Sequence, residues 1–147
     1  MIPANFIRYL KTPLHSGFQS AGLLVVRLIA GGAFVVHGWG KIQDPIGWAG
    51  PQSTIPGVFL FLAALSEFGG GFAWIFGFLT PLASLGIFCT MTVAVHMHMI
   101  VRQDPFVNMS GGMSYEPALG YWGISILLLT MGPGRFSADA KIFGQRG

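Results

Sequence analysis

Two long apolar stretches of this sequence each carry a single charge, and the two charges have opposite sign. Ser20 to Trp39 holds Arg27, and Ala63 to Pro81 holds Glu67, followed closely by Gly69, Gly70 and Gly71. A bilayer core about 30 Å thick needs about 20 helical residues at 1.5 Å rise, so both stretches are long enough to span it. An ionised side chain at that depth is costly unless a partner offsets it. The pattern therefore predicts that Arg27 and Glu67 meet inside the membrane, as a buried ion pair or as parts of a ligand pocket.

With 52% hydrophobic and 9% charged residues in 147, the chain reads as a one-domain integral membrane protein whose first partner is the lipid bilayer. Its net charge of +3 comes without a basic run or aromatic-basic interleaving, so no nucleic-acid partner is expected. The lysines and arginines read as topology signals instead. Cys89 is the one cysteine and excludes an internal disulfide.

Residues 1–19 mix Arg8, Lys11 and His15 with Phe6, Ile7, Tyr9, Leu10 and Leu14, a pattern that suits a cytoplasmic or interfacial lead-in. Arg27 inside the first apolar run, without a small-x-small cleavage site, speaks for a retained first helix. The four-helix domain then covers 20–132. Its first helix, about 20–39, carries Arg27, Gly31, Phe34, Gly38 and Lys41 on one stripe with His37 beside it, and the glycines mark that stripe as facing protein. Three prolines and two glycines in 42–56 make a loop, and a second helix follows at about 57–79, with Ala63, Gly70 and Gly77 as a small-residue seam.

Thr80-Pro81 gives a very short turn into a third helix, about 81–100, so the second and third helices form an antiparallel hairpin. Leu85, Cys89, Thr92 and His96 share one face of the third, whereas His98 lies about 200° away. His96 is thus expected to point inward and His98 toward headgroups or a neighbour. A second loop leads to Glu116-Pro117 and a short fourth helix, about 117–131, carrying Tyr121, Trp122 and Ser125, and 133–147 is a polar tail.

Arg8, Lys11, Arg135, Lys141 and Arg146 fall on one side of this topology, against Lys41 and Arg102 on the other, which predicts cytoplasmic N and C termini. In that frame Arg27 lies roughly 11 Å from the inner end of its helix and Glu67 roughly 15 Å from the outer end of its own, a gap a long arginine would close. His37 and His96 both fall roughly 22 to 26 Å from the cytoplasmic side, with Lys41, Tyr115 and Glu116 near that level. Two polar layers are expected: a mid-membrane pair and an outer cluster of His37, Lys41, His96, Tyr115 and Glu116.

Taken together, Arg27-x3-Gly31-x2-Phe34-x2-His37-Gly38-x2-Lys41, then Glu67-x2-Gly70-x6-Gly77-x2-Thr80, a histidine late in the third helix, and Gly132-Pro133-Gly134-Arg135-Phe136-Ser137-x-Asp139 resemble the DoxX/DoxD family of small four-helix membrane proteins. The resemblance runs from about residue 20 to 142. It implies an all-α, multi-pass integral membrane four-helix bundle in the cell inner (plasma) membrane. It also implies an association with quinone-linked oxidase or thiosulfate:quinone oxidoreductase systems.

Three functions are compatible with these residues. A quinone-linked membrane redox subunit would use an apolar slot with His37, His96, Glu67 and Arg27 near the head and Tyr121 as a further quinone contact. No haem, flavin or iron–sulfur motif is visible, so no intrinsic cofactor is expected; quinone is the candidate ligand, and electrons would come from a partner subunit. A noncatalytic accessory subunit, assembling with other membrane subunits or as a homo-oligomer, fits the glycine-lined faces. A small anion or metal transporter would use Arg27 as its selectivity charge. Arg27 and Glu67 also fit a purely structural pair that fixes helix register. The histidines lack the compact spacing of a metal site, and no metal ligand set is assigned.

Overall fold

Helix boundaries follow from local chemistry in the computed structural model, which describes residues 9–146. Helix α1, Gly17–Gln43, opens on a capping box: the Ser16 hydroxyl accepts from the Gln19 N–H at 3.2 Å, and the Gln19 side chain accepts from the Ser16 N–H at 2.9 Å. With that cap the helix starts before Ser20, and it runs past Trp39 until Asp44-Pro45. Helix α2, Gly57–Phe76, follows Pro56 and ends at Gly77, whose φ of 63° suits a residue without a side chain.

Helix α3, Thr80–His96, has Pro81 in its first turn and continues as a π-helical turn over Met97–Val101. Helix α4, Glu116–Met131, stops at Gly132, and a short α5, Ala138–Ile142, completes the tail. Two short strands, β1 (Thr12–Pro13) and β2 (Gln145–Arg146), pair in parallel with Thr12 opposite Gln145 and Pro13 opposite Arg146. Of the lead-in expected over 1–19, residues 1–8 lie outside the described residues, as does 147.

Helices α1 and α2, and α3 with its π-turn, are long and apolar enough to cross a membrane. Helix α4 has 16 residues, about 24 Å by helical rise. The β1–β2 pairing and a 2.7 Å hydrogen bond between His15 Nε2 and the Met131 carbonyl gather both described ends of the chain, the start of α1 and the end of α4 at one end of the bundle. That requires an even number of crossings, so α4 is the fourth.

The core is Leu23, Ala30 and Phe34 of α1, Trp74 of α2, Ile87 and Met91 of α3, and Leu128 of α4. Trp74 is fully buried, donates its indole N–H to Ser84 Oγ at 2.9 Å, and meets the edge of Phe34 at 5.5 Å between ring centres. Large apolar side chains such as Phe18, Val36, Phe59 and Leu82 face outward, as lipid demands. Helices α1 and α2 are antiparallel and touch backbone to backbone: a Cβ on Gly31 would sit 2.7 Å from the Gly71 carbonyl. The seam toward α1 thus uses Gly71, while Gly70 faces Ile87 of α3 and Gly77 is the αL cap.

Candidate functional site

Arg27 and Glu67 are both buried, but they do not meet. Arg27, 1% exposed, spends its donors on four carbonyls: Nε on Trp74 at 2.7 Å, Nη2 on Ile75 at 3.0 Å, and Nη1 on Pro133 at 2.6 Å and Phe136 at 3.1 Å. Trp74 and Ile75 stand in the last turn of α2, where carbonyls run short of helical partners, Trp74 keeping the Gly77 N–H at 3.1 Å, and the macrodipole is negative. A cation from α1 caps them. The expected ion pair fails because of the antiparallel register. Gly38 lies against Phe68, so the level of Glu67 on α1 is about eleven residues beyond Arg27, roughly 16 Å by helical rise and out of arginine's reach.

The complementary charge at this end is Asp139 of α5, fully buried. Its Oδ1 accepts from the Leu79 N–H at 2.7 Å and its Oδ2 from the Thr80 N–H at 2.8 Å, at the N-terminus of α3. The Asp139 N–H in turn donates to the Gly77 carbonyl at 2.9 Å. One turn therefore has a guanidinium on the helix that ends and a carboxylate on the helix that begins, the favourable sign at each. Gly77 has no room for more: a Cβ there would lie 2.8 Å from Arg27 Cζ and 2.5 Å from Ser137 Cβ. This centre is a structural clamp with its polar groups spent on backbone. In the sequence, Asp139 is visible as part of the Gly132-to-Asp139 motif, with no sign of which helix it caps.

Glu67 is held by Lys41. The lysine reaches from the last turn of α1, and its Nζ lies 2.5 Å from Glu67 Oε1, with side-chain exposures of 27% for the lysine and 3% for the acid. Lys41 also sits 4.5 Å above the ring of Trp48, which donates its indole N–H to the Leu60 carbonyl at 3.0 Å. Such a cation–π contact stabilises the ammonium without neutralising it. Opposite charges had been visible at both positions, and the partner is decided by helix offset.

This ion pair stands on the wall of a cleft of about 960 Å³ between α2 and α3, closed over by the 48–55 segment of the first loop. Leu62 and Ala63 of α2 face Val93, Ala94 and Met97 of α3 across it. Gly86, also on the wall, makes room for Ser66, whose Oγ would be 2.8 Å from a Cβ at that glycine. Leu62, Cys89 and Val93 are exposed, so the cleft opens sideways at membrane level. Largely apolar walls with the Lys41–Glu67 pair among them suit an elongated molecule with a polar head.

The histidines are arranged opposite to expectation. His96 is exposed, and His98 is on the cleft wall. The π-helical turn beginning at Met97 changes the winding just where the two positions were compared, and Asp104 takes His98 Nδ1 at 2.7 Å. Regular 3.6-residue periodicity does not foresee that turn.

The expected outer cluster likewise does not assemble. No hydrogen bond or ion pair joins any two of His37, Lys41, His96, Tyr115 and Glu116 among the described residues. His37 is exposed, with its ring 6.4 Å from that of Tyr121. Tyr115 packs on Phe106 at 5.3 Å, and Glu116 is exposed in the first turn of α4. Tyr121 lies between α1 and α4, 4.9 Å from Phe34, away from the cleft. No group of three or more histidine, cysteine or acidic side chains that could hold a metal occurs among the described residues.

Comparison with known proteins gives a consistent placement. The family model for DoxX matches residues 22–100, the part that contains most of α1, all of α2 and most of the α3 span. The chain is similar to the inner membrane protein YqjF of Escherichia coli (strain K12), 35% identical over 129 residues, covering 82% of this chain and 92% of that protein. No solved structure matches.

Proposed function

Because the chain belongs to the DoxX family of membrane proteins, we propose that it is a membrane-embedded subunit of a redox assembly that binds a quinone in the α2–α3 cleft. The observation that carries this reading is the cleft itself, with apolar walls open toward lipid and the Lys41–Glu67 pair on its wall. A quinone reaches its site from within the bilayer, so a lateral mouth is the entrance such a ligand needs. Lys41 is a donor available to a ring carbonyl, held by Glu67 and by the ring of Trp48 beneath it.

The inner (plasma) membrane is the location assigned, as for the relative named an inner membrane protein. Cytoplasmic termini are supported by Lys11, Arg135, Lys141 and Arg146 at one end of the bundle, against Lys41 and Arg102 at the other. Electrons would come from a partner subunit.

The test is titration of the purified protein in nanodiscs with decylubiquinone, read by Trp48 fluorescence and by thermal shift. Saturable binding that Ala63→Trp abolishes is expected. A wild-type protein that shows neither quenching nor a shift removes the quinone role.

A second reading, a noncatalytic accessory subunit, is favoured by the second loop. There Phe106, Val107, Met109 and Met113 are exposed, Met109 to 93%, and exposed apolar side chains on a loop suit a protein contact. Loss of neighbouring subunits on co-purification after Met109→Asp, with quinone binding intact, would favour it.

A further inference from the structure

His98 and Asp104 form a dyad at the end of α3 that the ion pair at Lys41 does not involve. The two side chains are 2.7 Å apart, Nδ1 to Oδ2, and are exposed to 20% and 19%. The Asp104 N–H also donates to the His98 carbonyl at 2.9 Å, so the π-turn and the segment after it are fastened together around this pair. His98 is on the cleft wall and Asp104 is off it. Asp104 takes the Nδ1 edge, which leaves Nε2 as the ring nitrogen available to the cleft.

A carboxylate only accepts hydrogen bonds, so Nδ1 holds the proton of the neutral ring and Nε2 is left as an acceptor. The other charged or titratable groups on the same wall are Lys41 of α1, Glu67 of α2, Cys89 of α3 and Arg102 after the π-turn. Lys41 spends one of its three ammonium donors on Glu67. Among the described residues no protein hydrogen bond, from Arg102 or any other donor, reaches His98 Nε2, so it offers the cleft an acceptor.

We infer that His98 accepts a hydrogen bond from a hydroxyl on the head of the cleft ligand, so that the cleft holds the quinol form more tightly than the quinone. Asp104 is a positioning residue: it fixes the tautomer and the ring plane. This inference depends on the quinone reading above and adds to it which redox form is preferred.

The experiment compares three probes under anaerobic conditions at pH 8 with the intact protein in nanodiscs: decylubiquinol, decylubiquinone and decylbenzene, which carries a tail without oxygen. One hydrogen bond predicts a quinol preference of about fivefold to tenfold. His98→Ala should erase the preference, bringing decylubiquinol and decylubiquinone to equal affinity, and His98→Gln, whose amide oxygen accepts, should restore part of it. Asp104→Asn lets an amide N–H donate to Nδ1 and moves the ring proton to Nε2, so the preference should vanish or invert. A merely structural Asp104 would weaken all three probes alike. Equal wild-type affinity for quinol and quinone, or a preference that survives His98→Ala, overturns the inference. Decylbenzene binding as tightly as both would instead overturn the quinone reading itself.

Discussion

Lys41 and Glu67 join the last turn of α1 to the middle of α2 through a 2.5 Å contact, with the acid buried and the base half in the cleft. The charge that Glu67 carries inside the span is thereby matched from the far end of the neighbouring helix. Both residues also line the cleft, so one contact belongs to the packing of α1 on α2 and to the cleft wall.

Lys41→Met removes the partner and leaves Glu67 uncompensated at 3% exposure. A loss of about 1–3 kcal/mol is expected, below the range of about 3–5 kcal/mol for a fully buried pair because the lysine is partly solvated. Lys41→Met combined with Glu67→Gln should recover most of it. Unfolding in mixed micelles measures both, and a double variant no more stable than Lys41→Met alone would refute the coupling.

Asp139→Ala takes away both acceptors from the start of α3 and leaves Leu79, with φ at 47°, in a left-handed conformation that only the clamp maintains. A cost of about 2–4 kcal/mol is expected from the lost charge-assisted cap. Hydrogen exchange at the Leu79 and Thr80 amides should accelerate before that of the α3 interior. Leu79→Gly in the Asp139→Ala background should return about 1 kcal/mol, since glycine adopts positive φ freely. An unchanged unfolding midpoint for Asp139→Ala would mean that the tail does not cap α3.

Cys89 is exposed on the cleft wall, so N-ethylmaleimide should label it in the folded protein. Ala94→Trp, which fills the cleft close by, should slow labelling roughly tenfold without unfolding the protein, because access rather than packing controls the rate. Mass spectrometry of the intact chain follows it. Labelling that is equally fast in Ala94→Trp would place the thiol outside the cleft.

The helical membrane class was legible from the apolar stretches, and the face of α1 that packs on protein from the spacing of Gly31 and Gly38, both pressed against α2. What was not legible depends on relations between elements. Two charges on two helices do not state the offset of those helices, and a shift of a few turns exchanged Arg27 for Lys41 as the partner of Glu67. Depth arithmetic from predicted helix ends missed this because α1 is extended by its Ser16 cap at one end and past Trp39 at the other. His96 and His98 exchanged roles at a change of helical winding that residue periodicity does not encode. Asp139 carries no helical pattern at all, and its place follows only from the tail folding back onto the α2–α3 turn.

Arg27 lies in α1, yet two of its four carbonyl acceptors, Pro133 and Phe136, lie 106 and 109 residues further along the chain. During synthesis that guanidinium lacks half of its acceptors until those residues have emerged after it. A chain cut before Pro133 would leave Arg27 Nη1 without its carbonyl partners, which ties the integrity of α1 to the segment after α4.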